Sequence, residues 1–221
     1  MRFSAPPGWR RIPPVTRGVL VAIGAGYLLT LAAPASAVWL ALAPAAVLAG
    51  EVWRIVTYAV VEASIVSVLF DLLLTWSFGS EIEPRWGSWR FALFLLSATA
   101  IAGGLGLLVG GGVGLAPTLL ALIFAWMLEG PSQRLSFFGV LPMTRLGFAV
   151  LALVLVVFSE LQASRSLARL VFVLGGLPVA WLFVRGFRGG GPKFPRFPRF
   201  RFPGRRRTFR VVGREDDFRV H

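Results

Sequence analysis

The most constraining feature of this chain is a succession of apolar stretches, at about 17–33, 62–79, 89–109, 116–129, 143–159 and 167–185. A hydrocarbon core takes about 20 apolar residues per helix, fewer where neighbouring helices shield the ends. The pattern predicts an all-α membrane protein with a bundle of six transmembrane helices. The stretches 62–79 and 116–129 are short and are expected inside the bundle. Composition agrees: hydrophobic residues make up 56% of the 221 and charged residues 15%, with a mean hydropathy of +0.74. A soluble domain of this size could not hide that much apolar surface. Ala35–Ala37 matches a small-residue cleavage pattern, but the apolar run from Gly18 to about Leu42 is longer than a signal-peptide core.

A net charge of +13 sits oddly on such a chain until its distribution is read. Twelve of the 23 basic residues lie between Arg185 and Arg219. Three regions follow: an N-terminal segment 1–16, a membrane domain 17–185, and a basic tail 186–221. With the N-terminus inside, the inner segments hold Arg2, Arg10, Arg11, Arg17, Arg85, Arg90, Arg134, Arg145 and the tail, and the outer ones only Arg54, Arg165 and Arg169. Positive residues favour the cytoplasmic side, so both termini are expected in the cytoplasm, at the inner (plasma) membrane if the source is bacterial. There are no cysteines, so disulfides and thiolate metal sites are ruled out.

Between the first two spans, Pro34 and Pro44 break an apolar segment that is expected to lie along the membrane surface. Gly103, Gly104, Gly106 and Gly110 put small residues where helices approach closely in lipid. Pro117 falls at the first turn of the fourth span, where a missing amide donor is harmless.

The order of these features resembles the rhomboid superfamily, which includes rhomboid proteases, derlins and other rhomboid pseudoproteases. Pro14, Thr16 and Arg17 precede span one. Gly50-Glu51-Val52-Trp53-Arg54 through Tyr58 is similar to the Trp-Arg motif of the first external loop. Trp76-Ser77-Phe78-Gly79, Glu83, Gly87-Ser88 and Arg90-Phe91 resemble the turn between spans two and three. Gly175-Gly176-Leu177 falls at the glycine motif of span six. The resemblance implies a lateral opening for transmembrane segments and a loop that thins the bilayer.

At the protease positions the chain departs from that pattern. The Gly-x-Ser-Gly of span four reads Gly114-Leu115-Ala116-Pro117, so the nucleophile position is Ala116. The span-six histidine reads Val173, and the span-two His-x-x-x-Asn pair reads Ser67 and Asp71. Side-chain chemistry points the same way, whatever the register of the match. A serine nucleophile needs a base beside it, yet the only histidine is His221 and the only lysine Lys193, both in the tail. No serine lies between Ser97 and Ser132, leaving Thr118 as the nearest hydroxyl. An aspartyl dyad needs two carboxyls inside the membrane, and Asp71 is the only aspartate in the spans. Zinc needs several ligands, which one terminal histidine cannot supply. No catalytic residue, metal or cofactor is expected.

Asp71 costs on the order of 3 kcal/mol to insert if charged at mid-span. It is expected to face the interior, either as a contact for a client segment, as a link to the external loop through Arg54 or Thr57, or as a hydrogen-bonded structural carboxyl. Trp53 and Arg54 suit an amphipathic loop with indole at the interface and guanidinium on phosphate, and Trp39 shares that level. Glu81, Glu83 and Arg85 are expected to cap spans two and three, with Arg85 near Glu83. Trp53, Arg54, Asp71, Pro117, Gly175 and Gly176 are therefore the client-binding or structural positions.

In the tail, basic residues alternate with Phe and Pro from Lys193 through Arg196, Arg199 and Arg201, followed by Arg205, Arg206 and Arg207. Proline at this density prevents a helix and favours an extended, disordered segment. Its expected partner is an anionic leaflet, at about 1 kcal/mol per basic residue; single-stranded nucleic acid is the sharper alternative. Together these features read as a non-catalytic rhomboid-like protein that binds transmembrane segments of client proteins. The rivals are a protease of unusual chemistry, a small transporter or lipid-handling protein, and a membrane tether acting through its tail.

Overall fold

The computed structural model describes residues 12–188, apart from residue 63 and residues 131–133 and 138–140. The tail residues expected to bind lipid, Lys193 to Arg207, lie outside the described residues, as does residue 189 onward. The helices are α1 (Pro14–Ala32), α2 (Ala35–Leu40), α3 (Pro44–Leu48), α4 (Arg54–Thr57), α5 (Ile65–Trp86), α6 (Ser88–Leu107), α7 (Ala116–Glu129), α8 (Arg145–Ser164), α9 (Leu170–Leu174) and α10 (Leu177–Arg188). By length and composition, α1, α5, α6, α8 and the last segment 167–186 can each cross a membrane, and α7 is a shorter apolar helix. With α7 counted, the bundle has the six elements the apolar stretches predict.

Local signals explain the boundaries. Pro14 opens α1, where its missing amide is an orphan anyway. The Ser64 hydroxyl accepts the Ser67 amide at 3.1 Å and starts α5. The Thr144 hydroxyl accepts the Gly147 amide at 3.1 Å and starts α8. Gly87 ends α5 with φ +83°, a conformation that side-chain-bearing residues rarely adopt.

Four expectations need correction. Helix α5 does not stop near residue 79 but continues through Pro84 to Trp86; Glu81, Glu83 and Arg85 each find partners on other elements, which holds this last turn helical despite the proline. The last span is interrupted at Gly175-Gly176, between α9 and α10. The bundle itself is all-α, but two short strands, β1 (Arg134–Phe137) and β2 (Leu141–Thr144), pair antiparallel between α7 and α8, with Arg134 opposite Thr144. Finally, the segment 35–60 is not merely a surface loop. Tyr58 is fully buried and its hydroxyl donates to the Thr99 carbonyl of α6 at 2.9 Å. Leu42 pairs with Gly112 through reciprocal backbone bonds of 3.0 and 3.1 Å.

Helix α7 sits at the centre: Pro117 to Ile123 are buried without a break. It packs on α5, α6, α8, α9 and α10, while α1 lies against α5. The glycines admit this closeness only in part. A Cβ on Gly103 would stand 2.4 Å from the Ile55 carbonyl oxygen, whereas one on Gly104 would meet open space. Gly103→Ala is therefore expected to lower stability by about 1–3 kcal/mol, and Gly104→Ala to leave it unchanged or raise it by up to about 1 kcal/mol. Thermal unfolding of both variants in detergent separates the two; equal effects would show that the loop does not rest on α6 at Gly103.

Candidate functional site at the start of helix α7

The start of α7 is where the sequence places its most altered position. Gly114, at φ +96°, turns the chain into the helix and donates its amide to the Tyr58 carbonyl at 3.0 Å. The next amide, Leu115, donates to the Glu62 carboxylate at 2.9 Å. The first amides of a helix have no internal partner and carry positive potential, so an anion is well placed there. A Cβ on Gly114 would come within 3.2 Å of that same Glu62 oxygen. Ala116, which the sequence resemblance sets at the nucleophile position, carries no hydroxyl.

Asp71 is buried on α5, and its carboxyl faces that of Glu62 closely enough to interact with it directly. One Asp71 oxygen, Oδ2, has no hydrogen-bond partner among the described residues. The expected link from Asp71 to the external loop thus exists, but through Glu62 rather than Arg54 or Thr57. Those two are held within the loop itself. Arg54 donates to the carbonyls of Val38 and Ala41 and pairs with Glu51, and Thr57 donates to the Leu40 carbonyl at 3.0 Å. Arg54 is only 5% exposed, so it braces the loop from inside instead of reaching headgroups. Trp53 and Trp39 are exposed, in keeping with an interfacial level.

The other positions serve packing. Ser67 joins Ser64 at the first turn of α5, their hydroxyls 3.0 Å apart. Val173 is buried on α9, which rests on α6 and α7. A Cβ on Gly175 would stand 3.0 Å from Ala102 Cα, and one on Gly176 would stand 2.9 Å from the Pro117 carbonyl oxygen and from Ala121. These two glycines let the last span lie directly on α6 and on the first turn of α7, with Pro117 buried beneath. Among the described residues no three His, Cys, Asp or Glu side chains gather into a metal-holding cluster.

At the opposite end of the bundle, charge is organised as the sequence suggested, but between different partners. Glu83 is 1% exposed and turns inward; it binds Val15, Thr16 and Ser88, not Arg85. Residues two apart on a helix point to different sides. Arg85 pairs with Glu81 and Glu129. Arg145, a topological charge in the sequence, is buried against Trp126 and pairs with Glu81.

This cluster pins α8 to α5. The two helices meet through Glu81–Arg145 and through Phe78–Phe148, whose ring centroids are 5.4 Å apart. Among the described residues the backbones of α5 and α8 approach at few points, and α8 packs chiefly on α7. Only 11% of the α8 span is buried, against 44% of α6. Toward the Asp71 end, the seam between α5 and α8 is therefore loosely closed.

Sequence reasoning missed Glu62 and the inward turn of Glu83. An acidic residue just ahead of an apolar run is the one signal that could have pointed to Glu62; its partners lie 9 and 53 positions away. No curated protein matches the chain closely enough to count as a relative. The Rhomboid domain family model matches residues 49–186, well over half of the chain and all of α5 to α9, so this six-element bundle belongs to the rhomboid family of integral membrane proteins.

Proposed function

We propose that this rhomboid-family protein binds transmembrane segments of other membrane proteins without cleaving them. The observation that supports the reading is the seam between α5 and α8: among the described residues the two helices meet through Glu81–Arg145 and Phe78–Phe148 at one end, and α8 leans chiefly on α7. A client helix entering there from the bilayer would meet the start of α7. At that point Ala116 offers no nucleophile, no imidazole lies among residues 12–188, and the Glu62 carboxylate already occupies the Leu115 amide. Acyl transfer needs an activated hydroxyl or thiol beside a base, so recognition, retention or hand-over is the work this arrangement supports. The orientation with both termini cytoplasmic, and contact of the basic tail with anionic lipid, belong to the same proposal.

The test is site-specific photo-crosslinking in native membranes from Ala116 and Asp71, with adducts identified by mass spectrometry. Recurrent adducts to proteins with single membrane spans would support client binding. Adducts to lipid alone, with protein capture only from positions 193–207, would move the function to the tail. Cleavage of a single-span reporter by the purified protein would overturn the non-catalytic reading outright.

A further inference from the structure

The other side of α8 carries a feature that does not depend on client binding. Helices α8 and α10 both pack on α7, which floors the space between them. A cavity of about 140 Å³ lies there, and every residue lining it is apolar. Its walls include Phe124 and Met127 of α7, Leu146, Val150 and Leu153 of α8, and Leu177 of α10. Leu146 and Val150 are about half exposed, so this groove opens to the bilayer. An apolar void of roughly 150 Å³ stays dry and takes hydrocarbon guests.

The charge at one end of the groove says which lipid it takes. On α10, Leu177, Trp181 and Arg185 recur at four-residue spacing and so run along one side of the helix. Phe183 stacks on Trp86, whose indole donates to Glu129. Helix α10 therefore finishes at the end of the bundle where α7 finishes and α8 begins. Arg185 lies eight residues beyond Leu177, about 12 Å at 1.5 Å per residue. A hydrocarbon core about 30 Å thick puts about 15 Å between mid-plane and headgroups. An acyl chain lying at Leu177 thus brings its headgroup to the level of Arg185.

The Arg185 guanidinium sits 4.2 Å from the centre of the Trp181 ring. Both side chains are exposed, and no carboxylate among the described residues pairs with Arg185. Stacking holds the guanidinium flat and leaves its in-plane N–H groups to fork onto a phosphate. It also covers a ring face that would otherwise receive the quaternary ammonium of a choline headgroup. A choline lipid therefore meets a cation where it needs an aromatic face, whereas an anionic headgroup meets its counter-charge. We propose that the groove between α8 and α10 binds an anionic phospholipid, with its acyl chain on α7 and its phosphate on Arg185.

The experiment uses the full chain in phosphatidylcholine nanodiscs doped with phosphatidylglycerol that carries a diazirine in its acyl chain. Adducts are mapped by peptide mass spectrometry. They are expected on the peptides holding Phe124 to Met127 and Leu146 to Leu153. Their yield should exceed that of the matching phosphatidylcholine probe on the order of 3–10-fold, as for a charge-assisted hydrogen bond screened at the surface. Arg185→Gln should erase that preference and leave the phosphatidylcholine signal unchanged. Val150→Trp, at the half-exposed rim, should remove labelling by either probe. Neither side chain is buried, so neither variant should shift thermal unfolding in detergent. Residues 193–207 are intact in both variants, so a preference that survives Arg185→Gln would put the headgroup on the tail and overturn the proposal. Equal labelling by the two probes would overturn it as well. So would labelling that vanishes when each disc holds two copies, which would give the groove to a second copy of this chain.

Discussion

Replacing Glu83 by alanine is expected to cost the fold about 3–5 kcal/mol, more than any other single substitution proposed for this bundle. The Glu83 carboxylate accepts the amides of Val15 and Thr16 at 3.0 and 2.7 Å and the hydroxyls of Thr16 and Ser88 at 2.8 and 2.7 Å. Two of these donors are first-turn amides of α1, which have no partner inside their own helix. The carboxylate also faces the positive end of that helix. It thereby ties α1 to the end of α5 and the start of α6 in one buried knot. Thr16 is fully buried beside it, so close to α5 that a Cβ on Gly79 would stand 2.7 Å from its hydroxyl. Alanine leaves these buried donors without their acceptor. Glu83→Gln should fall between the two, because its amide keeps one acceptor but turns donors toward donors. Thermal unfolding in detergent measures both; a loss under about 1 kcal/mol for Glu83→Ala would show that α1 is held by apolar packing alone.

Arg145→Ala should be the next most damaging change, at about 2–4 kcal/mol. The guanidinium is 1% exposed, lies 4.5 Å above the centre of the Trp126 ring, donates to the Trp126 carbonyl at 3.2 Å and pairs with Glu81. The Trp126 indole donates to the other Glu81 oxygen at 2.6 Å, closing the group around α5, α7 and α8. Glu81 keeps Arg85 when Arg145 is lost, which sets the effect below that of Glu83. The two residues should be coupled by at least about 1 kcal/mol in a double-mutant cycle with Glu81→Ala. Additive losses would mean that the pair is incidental. Because these contacts pin α8 to α5, Arg145→Ala should also raise crosslinking from Ala116 if client segments enter by that seam.

These two effects illustrate what can be read from one dimension and what cannot. The six apolar stretches were legible because a membrane span is a local property: length and hydropathy within about 20 residues decide it. The start of α7 at Ala116, just ahead of Pro117, followed from local helix-start chemistry in the same way. That the chain has a single histidine, at position 221, was equally plain in the sequence. The Rhomboid family match agrees with the order of motifs that the sequence presents.

Polar partnerships were a different matter. Asp71 could be recognised as costly in an apolar helix, but the chain itself did not say that Glu62 would face it. Glu83 and Arg85 look like neighbours in sequence and point apart on the helix, one into a knot with α1 and the other to Glu129. Arg145 reads as a boundary charge and is buried. The continuation of α5 through Pro84, the break at Gly175-Gly176 and the loose seat of α8 were equally hidden. The sequence by itself determined which segments are long and apolar enough to enter the membrane, because that depends on local content. Only the tertiary structure decided where each buried charge finds its partner, because that pairing joins residues up to 68 positions apart and is set by which helix faces meet.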